Sequence, residues 1–383
     1  MKATKLFTEF FHSEKSAGLV LIGCTFISLL LANSSFGHAY MDAWHSTFIT
    51  RSVEFWINDG LMTVFFLLVG LEIEREIYVG EFSDLRKAML PIMAAIGGML
   101  IPALIHFGFN FGTPYQTGFG IPMATDIAFS LGILSLLGNR VPMMLKVFLT
   151  ALAIIDDLGA IIIIALFYAE AISWLYLGLA VLLFSTMLIF NRAKVNALWL
   201  YLVPGIGLWY FLYQSGIHPT ITGVLLAFAI PFRDGGESSP SYRLQHFLHK
   251  PVAFIVLPLF ALANTAILFP ASGFQTLLNT NTYGVLTGLV VGKPIGIFLF
   301  AMAGILAGFC VLPQGIKKRH IIGVGLLAGI GFTMSIFIAL LAFTDQETIN
   351  STKIAILVAS LLAGILGVIW LRVTLPFKAE AIE

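Results

Sequence analysis

From residue 16 to residue 372 the chain is a succession of apolar stretches, set apart by short loops carrying charge, glycine and proline. Each stretch is near the roughly 20 residues that a helix needs, at about 1.5 Å per residue, to cross about 30 Å of hydrocarbon. A soluble domain carries roughly 25% charged residues, whereas this chain carries 11%, with 58% hydrophobic. It therefore reads as an integral membrane protein, all-α and polytopic. No soluble domain of ordinary size fits between the stretches. A formal net charge of +1 gives no electrostatic ground for a nucleic-acid partner or an acidic macromolecule.

Bounded by charges, Gly and Pro, the apolar windows predict twelve helices, over 16–33, 55–77, 89–109, 117–137, 144–168, 172–191, 197–214, 217–231, 251–269, 283–308, 321–343 and 351–372. An even number puts both termini on one side. If that side is the cytoplasm, all but three of the 21 lysines and arginines lie in cytoplasmic segments, the bias expected of a correct topology. The exceptions are Arg51 and Lys353, on the far side, and Lys293, inside a span. The opening "MKATKLFTEFFHSEKSAG" reads as a retained cytoplasmic helix, because the apolar run after it is long and lacks a small-residue cleavage site. Residues 38–51, "HAYMDAWHSTFITR", are too polar to cross and have Thr and aromatic residues at strand-like spacing, which predicts a small extramembrane hairpin. Cys24 and Cys310 sit inside apolar runs and read as packing residues.

Two spans are interrupted by glycine and polar residues at mid-depth: "GFGIPMATDIAFSLGILSLL" from Gly118 and "GVGLLAGIGFTMSIFIALLAF" from Gly323. Broken helices survive at that depth only where the freed backbone groups are buried in protein or line a wet cavity. The two resume alike, "ATDIAFSLGIL" against "FTMSIFIALL". As the fourth and eleventh spans they cross in opposite directions. That is the pattern of inverted repeats, with an ion site expected where the breaks meet.

Four ionisable residues lie well inside the predicted spans: Asp126, Asp156, Asp157 and Lys293. On insertion scales they would together cost roughly 10 kcal/mol before pairing, so stability does not explain them. Asp156 and Asp157 stand about twelve residues from either end of their span, roughly 18 Å along the axis. Adjacent helix positions differ by about 100°, so both carboxylates can border one cavity while facing different neighbours, one pairing with Lys293 and the other facing water. Burial and like charge disfavour an ionised carboxylate and a lysine favours it, so such a group can take up and release protons near neutral pH. Carboxylate oxygens also suit a hard monovalent cation, with the Thr125 and Thr333 hydroxyls and freed carbonyls completing the shell. A site that holds protons or a cation, but not both, is by itself an exchanger when opened to each side in turn. The plainer reading is a structural polar cluster, but one ion pair needs only one aspartate. Asp126, at a break, either neutralises the dipoles of the half-helix ends together with a lysine or binds the cation directly.

"AIIDDLGAI", "GIPMATDIAFSLGIL", "VGKPIGI", "GIHPTITG" and "GLLAGIGFTMSIFI" resemble the NhaA family of bacterial sodium/proton antiporters, and the similarity runs through essentially the whole chain. That family itself exemplifies inverted-topology repeats. The resemblance implies one membrane-embedded domain over 1–383, with 89–168 and 283–372 as the repeats forming the ion-binding core and 172–269 with 16–77 as an interface bundle. It implies that Asp157 is the principal sodium and proton carboxylate and that Asp156 pairs with Lys293. Asp126 and Thr125, with Thr333, then form the polar patch at the crossing. It implies electrogenic exchange of sodium or lithium for protons at Asp156 and Asp157, activity rising at alkaline pH, and no cofactor or enzymatic step. Residues 38–51 match the family's dimerisation hairpin. The setting implied is the bacterial inner membrane, with membrane lipid and a second copy as partners and no soluble protein partner.

Family members sense pH at a cytoplasmic funnel, matched here by Glu72, Arg75 and Glu76 in "GLEIEREI" and by His246 and His249 in "RLQHFLHK". The alternative for these residues is a solvated helix end. The second stretch departs from the best-known members, which carry an acidic residue where Gln245 stands and a lysine where Tyr242 stands, so the set point is open. His218, before Pro219, reads as a packing or interface histidine, and His106 as a satisfied core residue.

A sodium-coupled symporter of an organic solute is the alternative function, since similar broken-helix folds serve it. No excess of Arg or Trp stands near the breaks to hold a carboxylated solute. An intramembrane aspartyl protease would take its two carboxylates from different helices, as Asp126 with Asp157 would allow. Asp156 and Asp157, however, are neighbours on one helix, and no G-x-G-D stretch occurs.

Overall fold

A computed structural model describes residues 2–80, 82, 85–169, 171–269, 279–313 and 315–375, with backbone alone for 2–14, 85–87 and 139. Its helices are α1 Lys2–Ala32, α2 Gly37–His45, α3 Val53–Tyr78, α4 Leu85–Asn110, α5 Ile127–Ser135, α6 Met143–Phe167 and α7 Trp174–Arg192. There follow α8 Trp199–Ser215, α9 Ile221–Ala229, α10 Pro240–Asn264, α11 Thr280–Leu306, α12 Lys318–Ala328, α13 Phe332–Ala342 and α14 Gln346–Thr374. A 3-10 helix, Pro114–Met123, precedes α5.

Eight of these helices are long and apolar enough to cross a membrane, or ten if each bent pair is one span. The bent pairs are Pro114–Met123 with α5, at 44°, and α12 with α13, at 50°. α8 and α9, with 17 and 9 residues, are shorter than a full crossing of about 20. All ten candidates fall on stretches that hydropathy marks. The helix over 251–269 begins earlier than expected, at Pro240, because the Ser239 hydroxyl caps it by accepting from Tyr242 N–H and Pro240 occupies its first turn. Similar caps start others: Ser52 accepts from Phe55 N–H, Asn279 from Thr282 N–H and Asp345 from Thr348 N–H.

The segment 38–51 differs from a simple hairpin. Residues Gly37–His45 are helical, and the antiparallel pair is only Thr47–Phe48 (β1) with Arg51–Ser52 (β2), in register Thr47 to Ser52 and Phe48 to Arg51. The reason is visible in the aromatics. Tyr40 and Trp44, four apart, pack edge to face at 5.7 Å on one side of a helix. The Tyr40 hydroxyl lies 3.0 Å from Ser28 Oγ and 3.1 Å from the Leu262 carbonyl. Strand-like spacing of aromatics thus served a helix face.

Contacts divide the chain into two units, 1–23, 84–160 and 267–383 in the first, 24–83 and 161–266 in the second. Within the first, α4 and α11 touch backbone to backbone. A Cβ on Gly97 would stand 2.2 Å from the Gly296 carbonyl oxygen, and one on Gly296 2.1 Å from that of Gly97. Small residues permit such an approach between membrane helices. α11 carries a π-helical turn, Gly288–Gly292, that ends immediately before Lys293. In the second unit α3 and α9 meet as closely, Gly223 against the Thr63 carbonyl at 2.3 Å from where a Cβ would lie.

Candidate functional site

The two half-helix pairs of the first unit bring the intramembrane charges together. At Ala124–Asp126 the chain leaves the 3-10 helix in extended conformation, and Asp126 restarts it as the N-cap of α5, accepting from Phe129 N–H at 2.9 Å. Its other oxygen accepts from Thr333 N–H at 3.1 Å and from the Thr333 hydroxyl at 2.5 Å. Asp126 thus stands at the N-terminal ends of both α5 and α13, where partial positive charge gathers. Its own N–H donates to the Ile330 carbonyl at 2.7 Å, which stitches one break to the other.

Asp156, midway along α6, meets Lys293 of α11 at 2.9 Å, Oδ2 to Nζ, and both side chains are fully buried. The Lys293 ammonium also donates to the Met123 carbonyl, at the end of the 3-10 half-helix. Thr125 Oγ1 lies 2.7 Å from Asp156 Oδ2 and 3.0 Å from the Ala328 carbonyl, with one hydrogen to give between them. Asp156 Oδ1 receives no hydrogen bond among the described residues. Asp157 is also fully buried, and its charge acts on Lys293. Neither aspartate is open to solvent, so the expectation that one faces water does not describe this conformation. A helix passing between packed neighbours hides both positions. The oxygens gathered here, from carboxylate, hydroxyl and carbonyl groups, are hard donors suited to a hard cation.

The second unit holds the charged end of α3. Arg75 is exposed, with Glu72 and Glu76 half-buried. The Arg75 guanidinium lies 5.6 Å from the centre of the Tyr242 ring, and that ring stacks on His246 at 6.1 Å and 3°. His249 is half-buried one turn further along α10. Between Glu72 and Glu76 sits a residue the sequence reading passed over. Glu74 is 5% exposed and accepts from the Ser241 hydroxyl at 3.1 Å. Helical periodicity marks it, because Leu67, Leu71 and Glu74 share one stripe, and the first two are buried as well.

Two histidines have partners that sequence did not name. His218 Nε2 lies 3.5 Å from Asp59 Oδ1, and its Nδ1 lies 2.9 Å from Thr220 Oγ1. Asp59 escaped notice because it stands near the end of its apolar stretch. His106 is fully buried and meets Asn281 Oδ1 through Nε2 at 3.0 Å, and Asn281 donates onward to Thr352 Oγ1 at 2.7 Å. Its Nδ1 has no partner among the described residues, so it is half satisfied.

Residues 8–371 match the Na+/H+ antiporter 1 family. The chain is 57% identical to a Na(+)/H(+) antiporter NhaA of Flavobacterium psychrophilum, over 98% of both chains. It is 56% identical to that of Cytophaga hutchinsonii, over 100% of both. A more distant relative, the Na(+)/H(+) antiporter NhaA of Escherichia coli, is 44% identical over 96% of this chain and 98% of its own.

Proposed function

This chain belongs to the Na+/H+ antiporter 1 family, and we propose that it exchanges the two ions by letting them compete for the carboxylates of Asp156 and Asp157. It is a multi-pass membrane protein and a Na+/H+ antiporter. The observation that carries the competitive reading is the pair Asp156 and Lys293, both fully buried, beside the breaks of two bent spans. Sealed from water, these acids hold either protons or a hard cation, and opening the site to each side in turn couples the two flows. Thr125, Asp126 and Thr333 hold the crossing in shape and offset the dipoles of its half-helix ends.

In the full proposal twelve spans cross the bacterial inner membrane, α8 and α9 among them, with both termini cytoplasmic. Residues 89–168 and 283–372 form inverted repeats around the ion site, and 16–77 with 172–269 form the interface bundle. More protons enter than sodium ions leave, so exchange is electrogenic, and lithium is accepted at the same carboxylates. Glu72, Arg75, Glu76, His246 and His249 raise activity at alkaline pH, and the segment 38–51 joins two copies.

Purified protein titrated calorimetrically with Na+ or Li+ in buffers of different ionisation heat tests the competition. Cation binding should release protons to the buffer throughout the active pH range. Binding with no proton release would overturn the reading.

A further inference from the structure

The two bent spans hold one another through a matched pair of serines that the ion site does not use. Ser130 Oγ donates to the Leu327 carbonyl at 3.0 Å, and Ser335 Oγ donates to the Ile121 carbonyl at 2.7 Å. Both serines are fully buried. Each is the fourth residue of the half-helix that follows its break, Ser130 in α5 and Ser335 in α13. Each also gives its own N–H to the carbonyl of the residue capping that half-helix, Asp126 at 2.9 Å and Gly331 at 2.8 Å. Their acceptors lie in matching turns, one residue apart in register: Leu327 is second from the end of α12 and Ile121 third from the end of the 3-10 helix. Both thus lie in the final turn of the half-helix before each break. The Leu327 carbonyl also accepts from the Ile330 N–H at 3.1 Å, so Ser130 adds a second donor there.

Other bonds at the crossing lack this reciprocity. Thr125 reaches Asp156, whereas the residue at the equivalent place, just before the cap of α13, is Ile330, whose side chain has no donor. Lys293 takes the Met123 carbonyl at the end of the 3-10 helix, whereas the Ala328 carbonyl at the end of α12 is met by the Thr125 hydroxyl. If the two repeats exchange conformations as the site turns from one side to the other, a contact that maps onto its own counterpart exists in both states. A contact without a counterpart belongs to one state.

We propose that Ser130 and Ser335 are positioning residues for exchange, forming the fixed pivot at which the two broken spans stay joined in both the inward-open and outward-open states. The pivot rests on the inverted-repeat reading given above. A bond present equally in two states contributes to the stability of both and shifts the balance between them not at all.

The test is sodium-dependent proton movement in proteoliposomes, with thermal melting, for native protein, Ser130→Ala and Ser335→Ala. Each variant should melt below native protein while its sodium half-saturation stays within about twofold of native, because the two states lose the same bond. If an alanine variant does not fold, Ser130→Cys or Ser335→Cys, with a weaker S–H donor, carries the same comparison. Shifts in half-saturation beyond that, of opposite sense in the two variants, would overturn the pivot while keeping the repeat equivalence, each bond then belonging to one state. A shift in one variant alone would overturn both. Native melting with native kinetics would overturn the pivot by showing that the bonds contribute nothing. Absence of exchange in native protein would instead remove the functional reading.

Discussion

Asp156 and Lys293 meet at 2.9 Å with neither side chain exposed. A buried pair of this kind is an uncertain source of net stability, but its rupture is costly, because removing one partner strands the other charge in a dry interior. Lys293→Ala is therefore expected to lower unfolding stability by about 3–5 kcal/mol. The double variant Lys293→Ala with Asp156→Asn should recover part of that loss, since no charge is then stranded. Chemical denaturation in detergent measures both, and a double variant no more stable than the single would remove the pairing argument.

Asp157→Asn should keep the fold and lose sodium-driven proton movement. The amide is isosteric with the acid and cannot release a proton. A pH-sensitive dye inside proteoliposomes reads the outcome, and full exchange by this variant would transfer the central role to another residue.

Asp126→Asn should slow maximal exchange while leaving sodium half-saturation nearly unchanged. Asp126 accepts from the first turns of both α5 and α13, so its charge serves two half-helix ends, each interaction worth about 0.3–1 kcal/mol near a surface and up to about 2 when partly buried. A selective rise in half-saturation would favour direct cation binding.

Gly296→Ala would place a methyl group 2.1 Å from the Gly97 carbonyl oxygen. The α4 and α11 backbones must separate, at a cost of roughly 1–3 kcal/mol, and Lys293 lies one turn earlier on α11. Lower melting temperature together with reduced exchange is expected. Native exchange would show that the site tolerates helix separation.

Outside the spans, the Asp345 carboxyl is held below the usual carboxylate range by the N–H of Thr348 first and by its hydroxyl second, both at 2.8 Å. A depressed folded value means that the cap contributes above the unfolded carboxyl pKa and is lost as pH falls through the folded one. Protection of the Thr348 N–H against hydrogen exchange, taken relative to the intrinsic rate at each pH, should fall on that acid limb in native protein. In Asp345→Ala it should already be low at neutral pH.

Much of the membrane architecture can be read from hydropathy, since twenty apolar residues leave a segment few other options. The acids at 126, 156 and 157 and the lysine at 293 are conspicuous for the same reason. Pairings are harder to read. Glu74 with Ser241 joins two helices, and Asp59 with His218 joins a helix to the turn between α8 and α9; local periodicity carries no information about which segment comes alongside. The stretch from Gly37 misled because Tyr40 and Trp44 fit an alternating pattern and a helical one equally well. The π-turn before Lys293 likewise leaves no local signature in "GLVVG".

Thr125 has a single hydrogen and two claimants, Asp156 and the Ala328 carbonyl. Whichever way the hydroxyl swings, one oxygen beside the break goes unserved by it. A single hydrogen therefore tethers this break either to α6 or to the end of α12, never to both at once.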